Sequence, residues 1–204
     1  MNLEELEKQV TLQEDIQEIE NLQRIYGYYF DNNMWTEIID LFSETQTESV
    51  EIADHGVFLG MKGIRRIYWD MFNHGGKGSN NPPWMQFVVM QLGCVVSVAP
   101  DGRSATGRWQ TWLMEAKPYG AYNRQEWLQG YYENKYVKEN GKWLFSKLYW
   151  NNTFCSPFDQ GWMKLPEMGW MPLPDADRPP TAFRPYPDHR GTVPYHFKHP
   201  VTGK

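Results

Sequence analysis

Tyr28 to Trp35 reads YYFDNNMW, one carboxylate among four aromatic residues and beside a pair of asparagines. A carboxylate walled by Tyr28, Tyr29, Phe30 and Trp35 loses hydration, so its pKa rises and it can take or give a proton near neutrality. Asp31 is therefore a candidate general acid or base. Asp-Asn-Asn is also turn chemistry, in which short polar side chains bond the local backbone and end a helix. Both readings stand at this stage. His55, in the turn Asp54-His55-Gly56, and His74, at the mouth of a glycine-rich loop, are imidazoles that could complete an acid–base pair or stay solvated. Arg108 lies between Gly107 and Trp109. On a strand, Arg108 and Trp109 point opposite ways, so one lines the interior and the other faces out. Facing in, Arg108 could hold an alkoxide, phenolate or carboxylate; facing out, it could pair with Glu133 across the sheet. Tyr26, Tyr131 and Asn151 are further polar groups that could point inward, with a satisfied core hydrogen bond as the alternative.

Other motifs exclude chemistry. HGGKGS, from His74 to Ser79, lacks the phosphate-loop spacing GxxxxGK[ST], and neither GxGxxG nor HExxH occurs. Cys94 and Cys155 lie far apart with no CxxC, and His189, His196 and His199 lack ligand spacing. No metal and no cofactor are expected.

Elements that could position these residues follow from periodicity. Ile16, Ile19, Leu22, Tyr26, Tyr29 and Phe30 fall three or four apart, which predicts a helix over Leu12–Phe30. Asp31-Asn32-Asn33 interrupts it, and Asn33 can cap a shorter helix carrying Trp35, Ile38, Ile39 and Phe42. SVEIADHGVFLG reads as two short strands around a tight turn, and 60–72 returns to helical spacing. After a Gly/Asn/Pro loop over 73–83 come two long hairpins. The first turns at PDGR and the second at KENG, with a loop expected over Lys117–Arg124. From Ser156 to Lys204 proline and glycine dominate, yet Trp162, Trp170, Phe183, Tyr186, Tyr195 and Phe197 make this tail too aromatic for a free linker. It is expected to wrap the domain or a neighbouring subunit. The division is a domain over 1–155 and a tail over 156–204. Helices followed by long antiparallel strands make an α+β class, one curved antiparallel or mixed sheet folded as a cone over a helical layer.

The chain's 204 residues suit one domain with a real core. Twenty basic against 25 acidic residues, net −5, with no basic stripe, argue against a nucleic-acid partner. The acidic start MNLEELEKQV does not resemble a signal peptide, and no apolar run spans a bilayer, so a cytoplasmic location without membrane contact is expected. Aromatics reach 16%, with 10 Trp, 12 Tyr and 10 Phe. They build a core, an apolar pocket or the interface of a homo-oligomer, expected to be a dimer or trimer.

The segments IENLQRIYGYYFDNNMWTEIIDLF, ESVEIADHGVFLGMKGIRRIY, DGRSATGRWQTW and GYYENKYVKENGKWLFSKLYW resemble the nuclear-transport-factor-2-like superfamily, specifically its SnoaL-like branch. The likeness runs from Leu12 to Trp162. Its scytalone dehydratase and bile-acid dehydratase members imply an aspartate near the end of the first helix acting beside a tyrosine. Here Asp31 matches, with Tyr26 or Phe30 at the tyrosine positions. Those enzymes also carry sheet histidines, where this chain offers Gln86, Arg108, Trp109 and Gln110 instead. The aromatic second hairpin and VPYHFKHPVTG resemble cofactorless lyases of sphingomonads that act on lignin-derived diarylpropanes. The resemblance implies a cofactor-independent lyase, a dehydratase or deformylating type, acting on a small aromatic molecule. Asp31, Tyr26, His55 and Arg108 are its expected catalytic residues, and Tyr29, Trp35, Trp109, Tyr131 and Asn151 its substrate contacts. A hydrophobic-ligand-binding module and an isomerase are the alternatives.

Overall fold

In the computed structural model, residues 2–72, 85–119, 122–164, 172–181 and 193–204 are described. His74 and the 73–83 loop, like Trp170, Phe183, Tyr186 and His189 of the tail, lie outside them.

Helix α1, Leu3–Asp31, begins nine residues before its apolar periodicity does. A capping box starts it: the Asn2 side chain accepts from the Glu5 N–H at 2.8 Å, and the Glu5 carboxylate accepts from the Asn2 N–H at 2.9 Å. Its first turns are solvated, so local capping rather than burial holds them, and an apolar pattern does not reveal them. Farther along, Ile19, Leu22, Tyr26 and Phe30 are buried. The helix ends as Asn33 turns the chain with φ 52°. Asn33 was expected to cap α2, Trp35–Ile39, but Met34 holds that position and no side chain caps the helix. A left-handed backbone, which asparagine tolerates, is what Asn33 contributes.

Strands β1 (Ser49–Ile52) and β2 (Val57–Leu59) pair antiparallel, joined by a 3₁₀ turn over Ala53–His55 and by Gly56 at φ 105°. Helix α3 (Gly60–Arg65) runs on into π-helical turns over Arg66–Phe72. Four long strands follow: β3 (Gln86–Val98), β4 (Ser104–Tyr119), β5 (Tyr122–Glu139) and β6 (Lys142–Pro157), then a short α4, Gly161–Lys164. The sheet order is β2-β1-β6-β5-β4-β3, with β1 parallel to β6 and every other pair antiparallel. The loop expected over Lys117–Arg124 is instead ladder: Lys117 pairs with Arg124 and Tyr119 with Tyr122. In a long hairpin each new pair joins a ladder already held in register, and that outweighs the local turn preference of proline and glycine.

Bulges between Gln91 and Cys94 and between Gln129 and Gly130 bend the sheet into an open cone. At Gly130 a Cβ would stand 2.3 Å from the Asn151 carbonyl oxygen and 2.9 Å from the Trp150 indole, so a side chain cannot follow this bend. Strict alternation then sorts the strands. Trp109, Thr111, Leu113 and Glu115 of β4, and Glu126, Leu128, Gly130, Tyr132, Asn134 and Tyr136 of β5, are buried on the inner face, and the residues that alternate with them are less covered. Helix α1 lies in this concavity with α2 and the π-helical turns. Phe30 meets Trp35, Phe72 and Phe87 edge-on, and Trp35 stacks on Tyr68 and Phe72.

The described tail packs on the domain. The Leu173 N–H donates to the His55 carbonyl at 3.0 Å, and the Val57 N–H to the Arg178 carbonyl at 2.9 Å. The buried Glu51 carboxylate receives both the N–H and the hydroxyl of Thr181, each at 2.6 Å. This strap covers the β2 edge, which would otherwise offer unpaired backbone groups. No described helix is long and apolar enough to cross a membrane.

Candidate active site

Asp31 is the last residue of α1, and the edge strand β3 passes beside it. The Val89 N–H donates to Asp31 Oδ1 at 2.6 Å, so the carboxylate satisfies a backbone donor that β4 does not take up. Half-burial lifts the Asp31 pKa from 3.8 to about 6, and the Val89 N–H pulls the other way. Desolvation wins. A cavity of about 400 Å³ opens here, lined by Arg24, Tyr28, Asp31 and the strand from Val88 to Leu92.

Inside the cone a chain of buried polar groups runs on from this point. Tyr26 and Tyr68 share a hydrogen bond of 3.0 Å between hydroxyls, and Tyr26 also bonds Tyr132. Tyr132 bonds Gln91, which accepts from Gln23 at 3.2 Å. Gln23 accepts from Asn134 at 2.8 Å and from the Tyr136 hydroxyl at 3.0 Å, and Trp109 Nε1 donates to that hydroxyl at 2.9 Å. Burial pushes Tyr26, Tyr68, Tyr132 and Tyr136 all up, so each stays a neutral hydroxyl. Burial dominates the rise at Tyr132, and the negative charge of Asp31 adds the smallest part of it. A carboxyl poised near neutrality beside neutral phenols can accept a proton, return it, and leave hydroxyl donors for a developing oxyanion.

Of the nine residues singled out from the sequence, eight divide between the two faces of the sheet and His55 lies at its edge. Tyr26, Trp35 and Trp109 are buried inside with Asp31, and Tyr29 packs against the same core. Arg108, Tyr131 and Asn151 lie on the outer face. There Arg108 Nη1 donates to Glu133 at 2.8 Å, its guanidinium lies over the Tyr131 ring at 4.2 Å, and the Asn151 amide donates to the Tyr149 hydroxyl at 3.1 Å. The cross-strand pair of Arg108 with Glu133 fixes which of Arg108 and Trp109 faces in. His55 sits between β1 and β2 at the sheet edge opposite β3, so the sheet does not bring it beside Asp31.

Sequence reasoning missed Gln23, Gln91, Tyr68 and Tyr132, and also a buried carboxylate pair on β4 and β5. Glu115 and Glu126 stand opposite each other in register on the inner face, and Arg124 Nε pairs with Glu126 at 2.8 Å. Parity along β4 and β5 was the available signal: counting by twos from Trp109 reaches Glu115, and from Tyr132 reaches Glu126. Among the described residues, no three His, Cys, Asp or Glu side chains converge as a metal site.

Comparisons with known proteins agree with this architecture. A model of the SnoaL-like domain matches residues 12–149. No curated protein matches the chain. A solved structure from Novosphingobium aromaticivorans DSM 12444, provisionally assigned as a scytalone dehydratase, superposes with a TM-score of 0.61 at 17% identity, over 83% of this chain and 99% of that one. A hexachlorocyclohexane dehydrochlorinase, LinA type 2, gives 0.61 at 14% identity, over 82% and 98%. The LinA type 3 enzyme of Novosphingobium barchaimii LL02 gives 0.60 at 13%, over 74% and 94%. At these identities the likeness establishes a shared fold.

Proposed function

Because the chain belongs to the SnoaL-like domain family, with the cone and the helix-end aspartate described above, we propose that it is a cofactor-independent lyase for a small aromatic substrate. One observation carries the reading: a half-buried Asp31 carboxyl with a pKa of about 6, on a cavity wall and within electrostatic reach of neutral tyrosine hydroxyls. A dehydrochlorinase stands among the similar folds, and in an elimination that begins with loss of a proton Asp31 suits the part of base.

The substrate class we favour is a diarylpropane carrying a hydroxymethyl group and a benzylic hydroxyl. Ionised Asp31 takes the proton of the hydroxymethyl O–H. The carbon–carbon bond breaks and formaldehyde departs. The electron pair released becomes the double bond of a stilbene, and the benzylic hydroxyl leaves as water after receiving a proton from Asp31 or from a tyrosine that Asp31 then reprotonates. Atoms and electrons balance without an oxidant. We assign the steadying of oxygen charge in this sequence to the neutral hydroxyls of Tyr132 and Tyr26. Arg108, Tyr131 and Asn151 face the other side of the sheet and have no part in it.

The test is formaldehyde and stilbene release from a 1,2-diarylpropane-1,3-diol by the wild type and by Asp31→Asn. Turnover by the wild type and its loss in a folded variant is the expected result. Equal rates from both proteins would remove Asp31 from the chemistry. A wild type that dehydrates the diol without releasing formaldehyde would keep the lyase and reject the deformylating step.

A further inference from the structure

The outer face of the sheet holds a second cavity, of about 440 Å³, that shares no lining residue with the one at Asp31. Its wall is β3 at Gly93–Val95, the strand pair at Arg108, Gln110, Gln129 and Tyr131, and Tyr195 of the tail. The volume lies within the range of small-molecule sites. Two aromatic faces meet on one cation here: the Arg108 guanidinium carbon is 4.2 Å from the centre of the Tyr131 ring and 4.3 Å from that of Tyr195.

How Arg108 spends its donors decides what the cavity can hold. Nη1 carries both of its hydrogen bonds, to Glu133 at 2.8 Å and to the Val193 carbonyl at 3.2 Å. Nε and Nη2 have no acceptor among the described residues, although Arg108 is largely covered. These two nitrogens form the side-on fork that matches a carboxylate bidentately. The Glu133 carboxylate cannot take that place, because its second oxygen is held by His196 Nδ1. Gln110, Gln129, Tyr195 and Val95 line the cavity with Arg108. Cys94 is wall rather than nucleophile, since burial and Glu20 push its thiol up to about 11.

We propose that this cavity is a binding site for a planar aryl carboxylate, its carboxylate on Arg108 Nε and Nη2 and its ring against Tyr131 and Tyr195. A lone inorganic anion would leave the aromatic walls unused, and a neutral arene would leave the fork unmet. The site exists only where tail meets sheet, because Tyr195 is a tail residue and the Val193 N–H donates to the Tyr131 hydroxyl at 2.9 Å. Occupancy therefore holds the tail down by mass action.

Calorimetric titration of the full chain with benzoate tests this, with benzyl alcohol and acetate as the ring-only and carboxylate-only probes. Saturable benzoate binding is expected, at least tenfold tighter than either probe. Arg108→Lys keeps the charge and loses the fork, and Tyr195→Ala removes one wall without touching the sheet. Each is expected to weaken benzoate at least tenfold while the far-ultraviolet circular dichroism stays that of the wild type. Titrating Asp31→Asn separates the two cavities, because benzoate affinity there should equal that of the wild type. The proposal is overturned if benzoate does not bind, if benzyl alcohol or acetate binds as well, if both outer-face variants bind as the wild type does, or if Asp31→Asn abolishes binding.

Discussion

Asp31 and Glu133 are two carboxylates on opposite sides of one curved sheet, and their surroundings make them different instruments. On the outer face both oxygens of Glu133 are taken, one by Arg108 and one by His196. On the inner side Asp31 receives a backbone N–H on one oxygen, and its burial outweighs that bond enough to hold its pKa at about 6. Hydrogen bonds on both oxygens make Glu133 structural, whereas desolvation leaves Asp31 able to change protonation state near neutral pH. Tyrosines accompany both groups. Inside they hydrogen-bond one another, and outside they stack on a cation.

The sharpest way to break this contrast is to neutralise each acid in turn. Asp31→Asn should lower turnover by about 10²- to 10⁴-fold, the range of a lost general acid or base. Glu133→Gln should leave turnover within about threefold and show its cost in unfolding, about 1–3 kcal/mol, because Arg108 loses a charged partner. Steady-state rates and urea midpoints on the two variants check both. If the variants have the same turnover, the distinction between the faces fails.

Next in size is the pH profile. On the proposed reading Asp31 serves as base in its ionised form, so kcat/KM should level off above pH 6 and fall about tenfold per pH unit well below it. A profile that stays flat down to pH 4.5 would contradict the assignment. Tyr132→Phe should cost about tenfold in kcat, with a smaller change in KM, because it removes the hydroxyl that bonds Tyr26 and Gln91.

Gly56→Ala probes the strap. A Cβ there would stand 2.6 Å from the Ala176 Cβ and 2.8 Å from the Arg178 carbonyl oxygen, at a φ of 105°. The variant should lose about 1–3 kcal/mol and expose the 172–181 segment to limited proteolysis. Unchanged stability and protection would mean that the strap does not depend on this close approach.

The smallest expected effect is on folding. The folded-state pKa of Asp31 lies above its ordinary 3.8, so folding favours the protonated form. That contribution is complete below pH 3.8 and is lost as pH rises through about 6, leaving a burial cost at neutral pH. The full difference would be worth about 3 kcal/mol; solvent screening of a half-exposed carboxyl reduces it to about 1 kcal/mol. Asp31→Asn should therefore be more stable than the wild type by about 1 kcal/mol at pH 7.5 and no more stable at pH 3.5, by urea unfolding.

Much of the architecture was legible because burial writes itself into period. Ile19, Leu22, Tyr26 and Phe30 announced the inner stripe of α1, and alternating aromatics announced β5 and β6. What local pattern could not carry was anything that depends on register. The ladder through Lys117 and Arg124 forms because a long hairpin is already aligned, and the conformation of Asn33 follows from where two helices must meet.

The sequence by itself determined the class of fold, the end of α1 at Asp31 and the aromatic wealth of the interior, since these follow from residue type and spacing alone. Only the tertiary structure decided that Arg108 faces out while Trp109 faces in, that His55 stands at the far sheet edge, and that Tyr132 bonds both Tyr26 and Gln91. Alternation tells which residues share a face, but it does not say which face meets the helix. Bulges, strand order and the packing of the tail settle that, and each is a relation between segments distant in the chain.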